Sequence, residues 1–192
     1  MQPGSLNPRM PIPADALRRT GGVAVTRIVF GEQAIADRVR ELGREITDAY
    51  PTGDLLLLGL LKGSFIFMAD LARAIERPLQ VDFMVASSYG KGTASSGNVR
   101  LLYDPATDLA ARHVLVVEDI IDTGRTLQRL LSQLAARQPA SLGVCALLDK
   151  KLAPPIPEVR FVGFECPPAF LIGYGLDYAE DYRHLPFIAE LG

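Results

Sequence analysis

Apolar positions along this chain switch between two spacings, and the switches mark its elements. A short apolar group, Ile28–Phe30, reads as a strand. From Gln33 onward, Ile35, Val39, Leu42 and Ile46 recur every three or four residues, the spacing of one helical face. Pro51-Thr52-Gly53 stops that helix. Asp54–Leu61 (DLLLLGLL) is a continuous apolar run, as expected of a strand buried on both faces of a parallel sheet. Helical spacing returns from Phe65 to Glu76, carried by Phe65, Met68, Leu71, Ala72 and Ile75. Val81–Ser87 is the next strand, and Val99–Tyr103 returns from the intervening segment. That segment, Tyr89–Asn98 (YGKGTASSGN), has almost no core-forming residues and reads as a mobile loop.

Val114–Val117 is another buried strand, and Leu127, Leu130, Leu131 and Leu134 line the helix after it. Leu142–Leu148 is a third strong strand, closed by Asp149-Lys150-Lys151. A proline-rich link (APPIP) leads to strand-like Arg160–Glu165, then Phe170–Gly173, then a polar tail from Asp177 to Gly192. Strands alternating with helices across short loops predict an α/β domain with a mostly parallel central sheet flanked by helices. No internal repeat is present. Residues 1–20 read as a mobile leader and 21–192 as the domain, with a small lobe from about 155 to 192 that takes in part of the N-terminal segment.

Composition narrows the class. With 192 residues, the chain fits one domain at about 100–200 residues per domain. Apolar residues make up 48 % and charged residues 22 %, the balance of an ordinary globular protein. A net charge of −2 argues against a broad nucleic-acid-binding face. No apolar run approaches the ~20 residues of a spanning helix. The first twenty residues carry four prolines and no basic-then-apolar secretion pattern. Two separated cysteines, Cys145 and Cys166, make no disulfide framework and point to a reducing, cytoplasmic setting. With His113 and His184 they form no zinc pattern either. Neither a P-loop nor a complete Rossmann glycine fingerprint occurs.

In an open parallel sheet, ligands bind outside the carboxyl ends of the strands. The segment after Val114–Val117 is the most informative such end: Glu118-Asp119-Ile-Ile-Asp122-Thr123-Gly124-Arg125-Thr126. Its free helix-start N–H groups, small hydroxyl residues and glycine suit a phosphate. The acids before them can accept hydrogen bonds from sugar hydroxyls or hold a metal's water shell. Together these features suit a sugar phosphate. Helix capping by Asp122 and Thr123 would account for one of these residues, not for three acids and a glycine.

VLVVEDIIDTGRTL resembles the phosphoribosyl-diphosphate (PRPP) signature of type I phosphoribosyltransferases, and in detail their hypoxanthine-guanine branch. LLGLLKGSFIFMADLARAI, VDFMVASSYG, CALLDKK and FVGFECPPAFLIGYGLDYAEDYRHLP follow in that family's order, from about residue 25 to 188. The resemblance implies the type I phosphoribosyltransferase fold with its small hood lobe. It also implies transfer of phosphoribose from PRPP to N9 of hypoxanthine or guanine, giving IMP or GMP and pyrophosphate. Glu118 and Asp119 would hold the ribose hydroxyls. The run Asp122, Thr123, Gly124, Arg125, Thr126 would hold the 5′-phosphate, Arg125 standing at a position that the family varies. Lys62 and Gly63 would form the pyrophosphate loop, where the family often has a cis Leu–Lys peptide, and Arg183 would join them. Lys150 would face the purine 6-oxo group, with Lys151 adjacent and the choice between them left open by spacing. Phe170 and Leu171 would flank the base, and Ser88-Tyr89 would start a lid. Mg²⁺ would bind at Asp177, with Glu118 and Asp119. Asp122 would serve as the general base toward purine N7. Pro168-Ala169 departs from the charged or polar pair that many members carry there. The family also implies a homodimer or homotetramer.

Two other readings compete. A regulator on the same scaffold would bind PRPP or a nucleotide without turnover. A phosphorelay receiver would also pair acids with a lysine, but its acidic pair should lie near the domain start. Here only one strong strand separates Glu118-Asp119 from Lys150, and that order fails.

Overall fold

The structure, a computed structural model, describes residues 18–21, 25–88 and 99–192. Its elements are β1 (Val25–Phe30), α1 (Glu32–Ala49), β2 (Leu55–Leu61), α2 (Phe65–Ala74), β3 (Gln80–Ser88) and β4 (Val99–Tyr103). They continue with β5 (His113–Ile121), α3 (Arg125–Ala135), β6 (Ser141–Asp149), β7 (Val159–Glu165), β8 (Leu171–Ile172) and β9 (Ile188–Leu191). Val39–Pro167 form one compact unit; Pro168–Gly192 and the chain up to Arg38 form a second.

The first unit is built on a six-stranded sheet in the order β4-β3-β2-β5-β6-β7. All its pairings are parallel except β3 with β4, so the strands β2, β5, β6 and β7 end on the same edge. The leucines at 55 to 58 in β2 are all buried, as an apolar run without alternation requires of a strand covered on both faces. Leu56, Leu58, Val114, Val116, Val144 and Ala146 pack with Leu127, Leu130, Leu131 and Leu134 of α3. Each fully buried leucine contributes about 1.5–3 kcal/mol relative to an exposed one. No helix among the described residues is long and apolar enough to cross a membrane.

Four expectations change. The face of α2 is rotated: Phe67 is buried and Phe65 is 43 % exposed, because the buried set is Phe67, Met68 and Leu71. β5 does not end at Val117 but runs to Ile121, since Glu118 pairs with Ala146, Ile120 with Leu148 and Ile121 with Asp149. The tail after Asp177 is not merely polar. Leu185, Phe187, Ile188 and Ala189 are buried, and β9 lies between β1 and β8 in a second, three-stranded antiparallel sheet. The second unit resumes at Pro168, not near 155, because β7 hydrogen-bonds to β6 as an edge of the main sheet. Residues 1–17 of the expected leader lie outside the described residues.

Candidate active site

The end of β5 and the turn after it gather the acids. Glu118 keeps its Oε2 buried with no hydrogen-bond partner. Burial, reinforced by the neighbouring Asp119 carboxylate, holds the Glu118 carboxyl well above the ordinary glutamate value. Asp119 Oδ1 accepts a hydrogen bond from the Ile120 N–H at 2.9 Å. Its Oδ2 lies against Gly63, where an added Cβ would sit 1.5 Å from that oxygen. Only a residue without a side chain fits beside Asp119 as it stands.

Past the buried Ile121, Asp122 and Thr123 are exposed and Gly124 reverses the chain at φ +68° to start α3. No side chain caps α3, so Asp122 and Thr123 are not spent on capping. The first N–H groups of the helix remain available to an anion. A cavity of about 230 Å³ is lined by Glu118, Ile120 and the turn from Ile121 to Leu127. Arg125 and Thr126, the first residues of α3, are exposed on this turn.

β2 ends beside β5, and its loop supplies Lys62 and Gly63. The Leu61–Lys62 peptide is cis, and Lys62 is exposed. Behind them the buried Ser64 donates from Oγ to Leu60 O at 2.7 Å.

β6 ends on the other side of β5, and there the two lysines part. Lys150 Nζ donates to Asp122 Oδ2 at 3.1 Å, with the lysine side chain 15 % exposed. Lys151 instead pairs with Asp149 Oδ2 at 3.0 Å and Glu165 Oε1 at 3.4 Å. Those acids hold its ammonium above the ordinary lysine value, the Asp149 hydrogen bond contributing most. Lys150 is therefore the one brought to Asp122.

The second unit carries the remaining candidates. Phe170 is 54 % exposed and meets Tyr178 edge to face, with ring centroids 5.8 Å apart. Leu171 is buried in β8. Arg183 donates from Nη2 to Asp177 Oδ1 at 2.9 Å and to Glu180 Oε2 at 3.3 Å, and from Nη1 to Gly175 O at 2.8 Å. Its Nε is buried without a partner. Glu180 was not among the expected residues; it meets Arg183 through turns with positive φ at Ala179, Glu180 and Tyr182, which residue spacing does not announce. The backbone N–H of Glu180 also donates to Asp177 Oδ2 at 2.9 Å. Ser88 closes β3, and Tyr89 with the rest of the expected lid lies outside the described residues.

No group of three or more His, Cys, Asp or Glu side chains forms a metal site among the described residues. Mg²⁺ does not need one, because it keeps several waters and takes one or two carboxylates plus substrate phosphates. The adjacent Glu118 and Asp119, with the orphaned Glu118 Oε2, fit that requirement.

A mostly parallel sheet with acids, a phosphate turn and lysines at one strand edge defines a sugar-phosphate-binding α/β protein. The phosphoribosyl transferase domain pattern matches residues 28–179. Hypoxanthine phosphoribosyltransferase of Salmonella typhimurium is 46 % identical over 167 residues, covering 85 % of this chain and 94 % of that protein. Hypoxanthine-guanine phosphoribosyltransferase of Dictyostelium discoideum is 47 % identical over 170 residues, with 85 % and 94 % covered. A crystal structure of hypoxanthine phosphoribosyltransferase from Staphylococcus aureus superposes with a TM-score of 0.83 at 39 % identity, covering 88 % of this chain and 92 % of that one. This chain belongs to the phosphoribosyltransferase family, in its hypoxanthine(-guanine) branch.

Proposed function

We propose that this protein is a purine salvage enzyme, transferring the 5-phosphoribosyl group of PRPP to N9 of hypoxanthine and guanine and releasing pyrophosphate. The observation that carries the reading is the Lys150–Asp122 pair at 3.1 Å, an ammonium donor beside a carboxylate acceptor next to an uncapped helix start. A 6-oxopurine protonated on N7 offers the complementary pair, an acceptor at O6 and a donor at N7.

Bond breaking between C1′ and pyrophosphate places positive charge on the ribose ring and negative charge on the leaving oxygens. Glu118 and Asp119 hold the ribose hydroxyls, and the turn from Asp122 to Thr126 holds the 5′-phosphate on the N–H groups of α3. Lys62, the Gly63 backbone and Arg183 receive the leaving oxygens electrostatically. Lys150 donates to O6 and cannot accept from an exocyclic amine, which favours hypoxanthine and guanine over adenine. Phe170 stacks on the base and Leu171 borders it. Asp122 takes the N7 proton, and because a carboxylate is a weak base much of its help is orientation and field. Glu118 and Asp119 would hold Mg²⁺, with Asp177 the further ligand that the resemblance implies, and the ion would supply Lewis-acid neutralisation of the pyrophosphate charge. Residues 168–192 with the first strand form the hood of the enzyme, residues 1–20 its leader, and the chain works in the cytoplasm as a homodimer or homotetramer.

The test is an assay of the purified protein with PRPP, Mg²⁺ and each purine in turn, following nucleotide and pyrophosphate. Stoichiometric IMP and pyrophosphate from hypoxanthine are expected. PRPP binding without product would instead mark a regulator.

A further inference from the structure

We propose that Asp149 is a positioning residue for purine recognition: it locks Lys151 into the turn at the end of β6 and so aims the adjacent Lys150 at Asp122. The inference rests on the reading that Lys150 contacts the purine 6-oxo group.

Lys150 and Lys151 are consecutive just past the end of β6, and their ammonium groups go to different partners, Asp122 for the first and Asp149 with Glu165 for the second. Something must decide between them, and Asp149 makes the bonds that do so. Its Oδ1 accepts from the Lys151 backbone N–H at 2.7 Å, and its Oδ2 binds Lys151 Nζ at 3.0 Å. Lys151 has φ +55°, a left-handed conformation that a lysine disfavours and that these bonds offset. The Asp149 side chain is only 13 % exposed, so its pair with Lys151 is less screened than a surface ion pair. Glu165, in register with Asp149 on β7, adds a second acceptor at 3.4 Å.

The backbone on either side is held as well. Asp149 O accepts from the Cys166 N–H at 2.9 Å, and the Lys150 N–H donates to Ile121 O at 3.0 Å. Lys150 is thus the last residue on the β5–β6 ladder before the chain turns away at Lys151. Without the Asp149 carboxylate, Lys151 loses both bonds that hold its turn, and its ammonium becomes a competitor for Asp122. Asp149 itself does not reach Asp122 or the phosphate turn, so it acts through its neighbour.

Steady-state kinetics with hypoxanthine and PRPP on Asp149→Ala, Asp149→Asn, Lys150→Ala and the Asp149→Ala/Lys150→Ala double variant test this, with thermal unfolding as the check on folding. Asp149→Ala should raise KM for hypoxanthine about tenfold, the cost of misaligning one charged hydrogen bond, while KM for PRPP stays within about twofold. Asp149→Asn keeps an acceptor for the Lys151 N–H and should recover part of that loss; it also serves if the alanine variant fails to fold. The double variant should be no worse for hypoxanthine than Lys150→Ala alone, because both changes act on one contact. An unchanged hypoxanthine KM in Asp149→Ala, an equal rise in both KM values, or full additivity in the double variant would overturn the inference. If Lys150→Ala itself leaves hypoxanthine KM at the parent value, the reading of Lys150 fails instead, and that result is separate from any effect of Asp149.

Discussion

Lys150 and Asp122 form an ion pair across the ends of two neighbouring parallel strands, Nζ to Oδ2 at 3.1 Å. The lysine side chain is 15 % exposed and the aspartate 53 % exposed, so the cation is fixed by its surroundings while the carboxylate is reachable by a ligand. Coulomb attraction in such a half-screened pair is enough to orient the lysine without removing Asp122 from solvent. Under the proposed function, a purine entering here would meet a donor and an acceptor already aligned, at little cost in ordering them.

Asp122→Asn tests the proton role of that carboxylate. The amide is nearly isosteric but is a far weaker base, so kcat should fall by about 100-fold or more, within the range of general-base effects. KM for PRPP should change little, since the backbone N–H groups at the start of α3, the proposed 5′-phosphate site, are retained. Equal losses in kcat and in PRPP affinity would make Asp122 a binding residue.

Gly63→Ala tests the contact between the loop after β2, the proposed pyrophosphate site, and Asp119 of β5. The new Cβ would lie 1.5 Å from Asp119 Oδ2, so either the loop or the carboxylate must move. Overpacking of this kind costs about 1–3 kcal/mol, which here should appear as a rise of about fivefold to a hundredfold in KM for PRPP. KM for hypoxanthine should be nearly unaffected, because Lys150 lies on the far side of β5 from this loop. Parallel titrations of the two substrates measure the split.

The parts of this fold legible in the sequence are those whose signal is local. β2, β5 and β6 are unbroken apolar runs, and α1 and α3 have single apolar faces, so their existence follows from spacing. β9 is not announced because the buried Ile188 interrupts the alternation of Leu185, Phe187, Ala189 and Leu191, and β1, its partner, is distant in the chain. The left-handed residues Tyr174, Ala179, Glu180 and Tyr182 are equally silent, since none is of a type that announces positive φ. In the site, the acids and the glycine of the turn after β5 were readable as a set. Which lysine faces Asp122 was not: it depends on the backbone of Lys151 and on a carboxylate whose role appears only in space. The Gly63–Asp119 contact joins two loops and is invisible until the strands are ordered.

Thiol labelling tests the packing around Lys150 without any substrate. Cys145 and Cys166 are both buried, and burial pushes the Cys166 thiol up to about 11, with Lys150 opposing and Asp149 and Asp122 adding to the rise. Thiolate is the reactive form, so at pH 7.5 the folded protein should consume almost no disulfide reagent. Two thiols per chain should react once denaturant is added. Rapid labelling of one thiol in the folded state would mean that the end of β7 is open.

Glu118→Gln should separate stability from function, and the sign follows from protonation. In the folded chain the Glu118 carboxyl is held above its ordinary value, by burial first and by Asp119 second. Between the ordinary value, ~4.3, and the raised one, the folded state keeps a proton that the unfolded chain has released. Stability contributed at this position therefore falls as pH rises through that window and is lost above it. Glutamine carries no charge to desolvate, so at pH 8 the ligand-free variant should be the more stable protein, on the order of 1 kcal/mol. At pH 3, below the ordinary value, the two should converge, because glutamate is then protonated in both states. PRPP with Mg²⁺ should reverse the order at pH 8, since the buried acceptor Oε2 is what the parent offers a ribose hydroxyl or a cation. Thermal unfolding of both proteins at the two pH values, with and without PRPP and Mg²⁺, measures each term. A ligand-free variant no more stable than the parent at pH 8 would show that the Glu118 carboxylate is solvated or paired in solution.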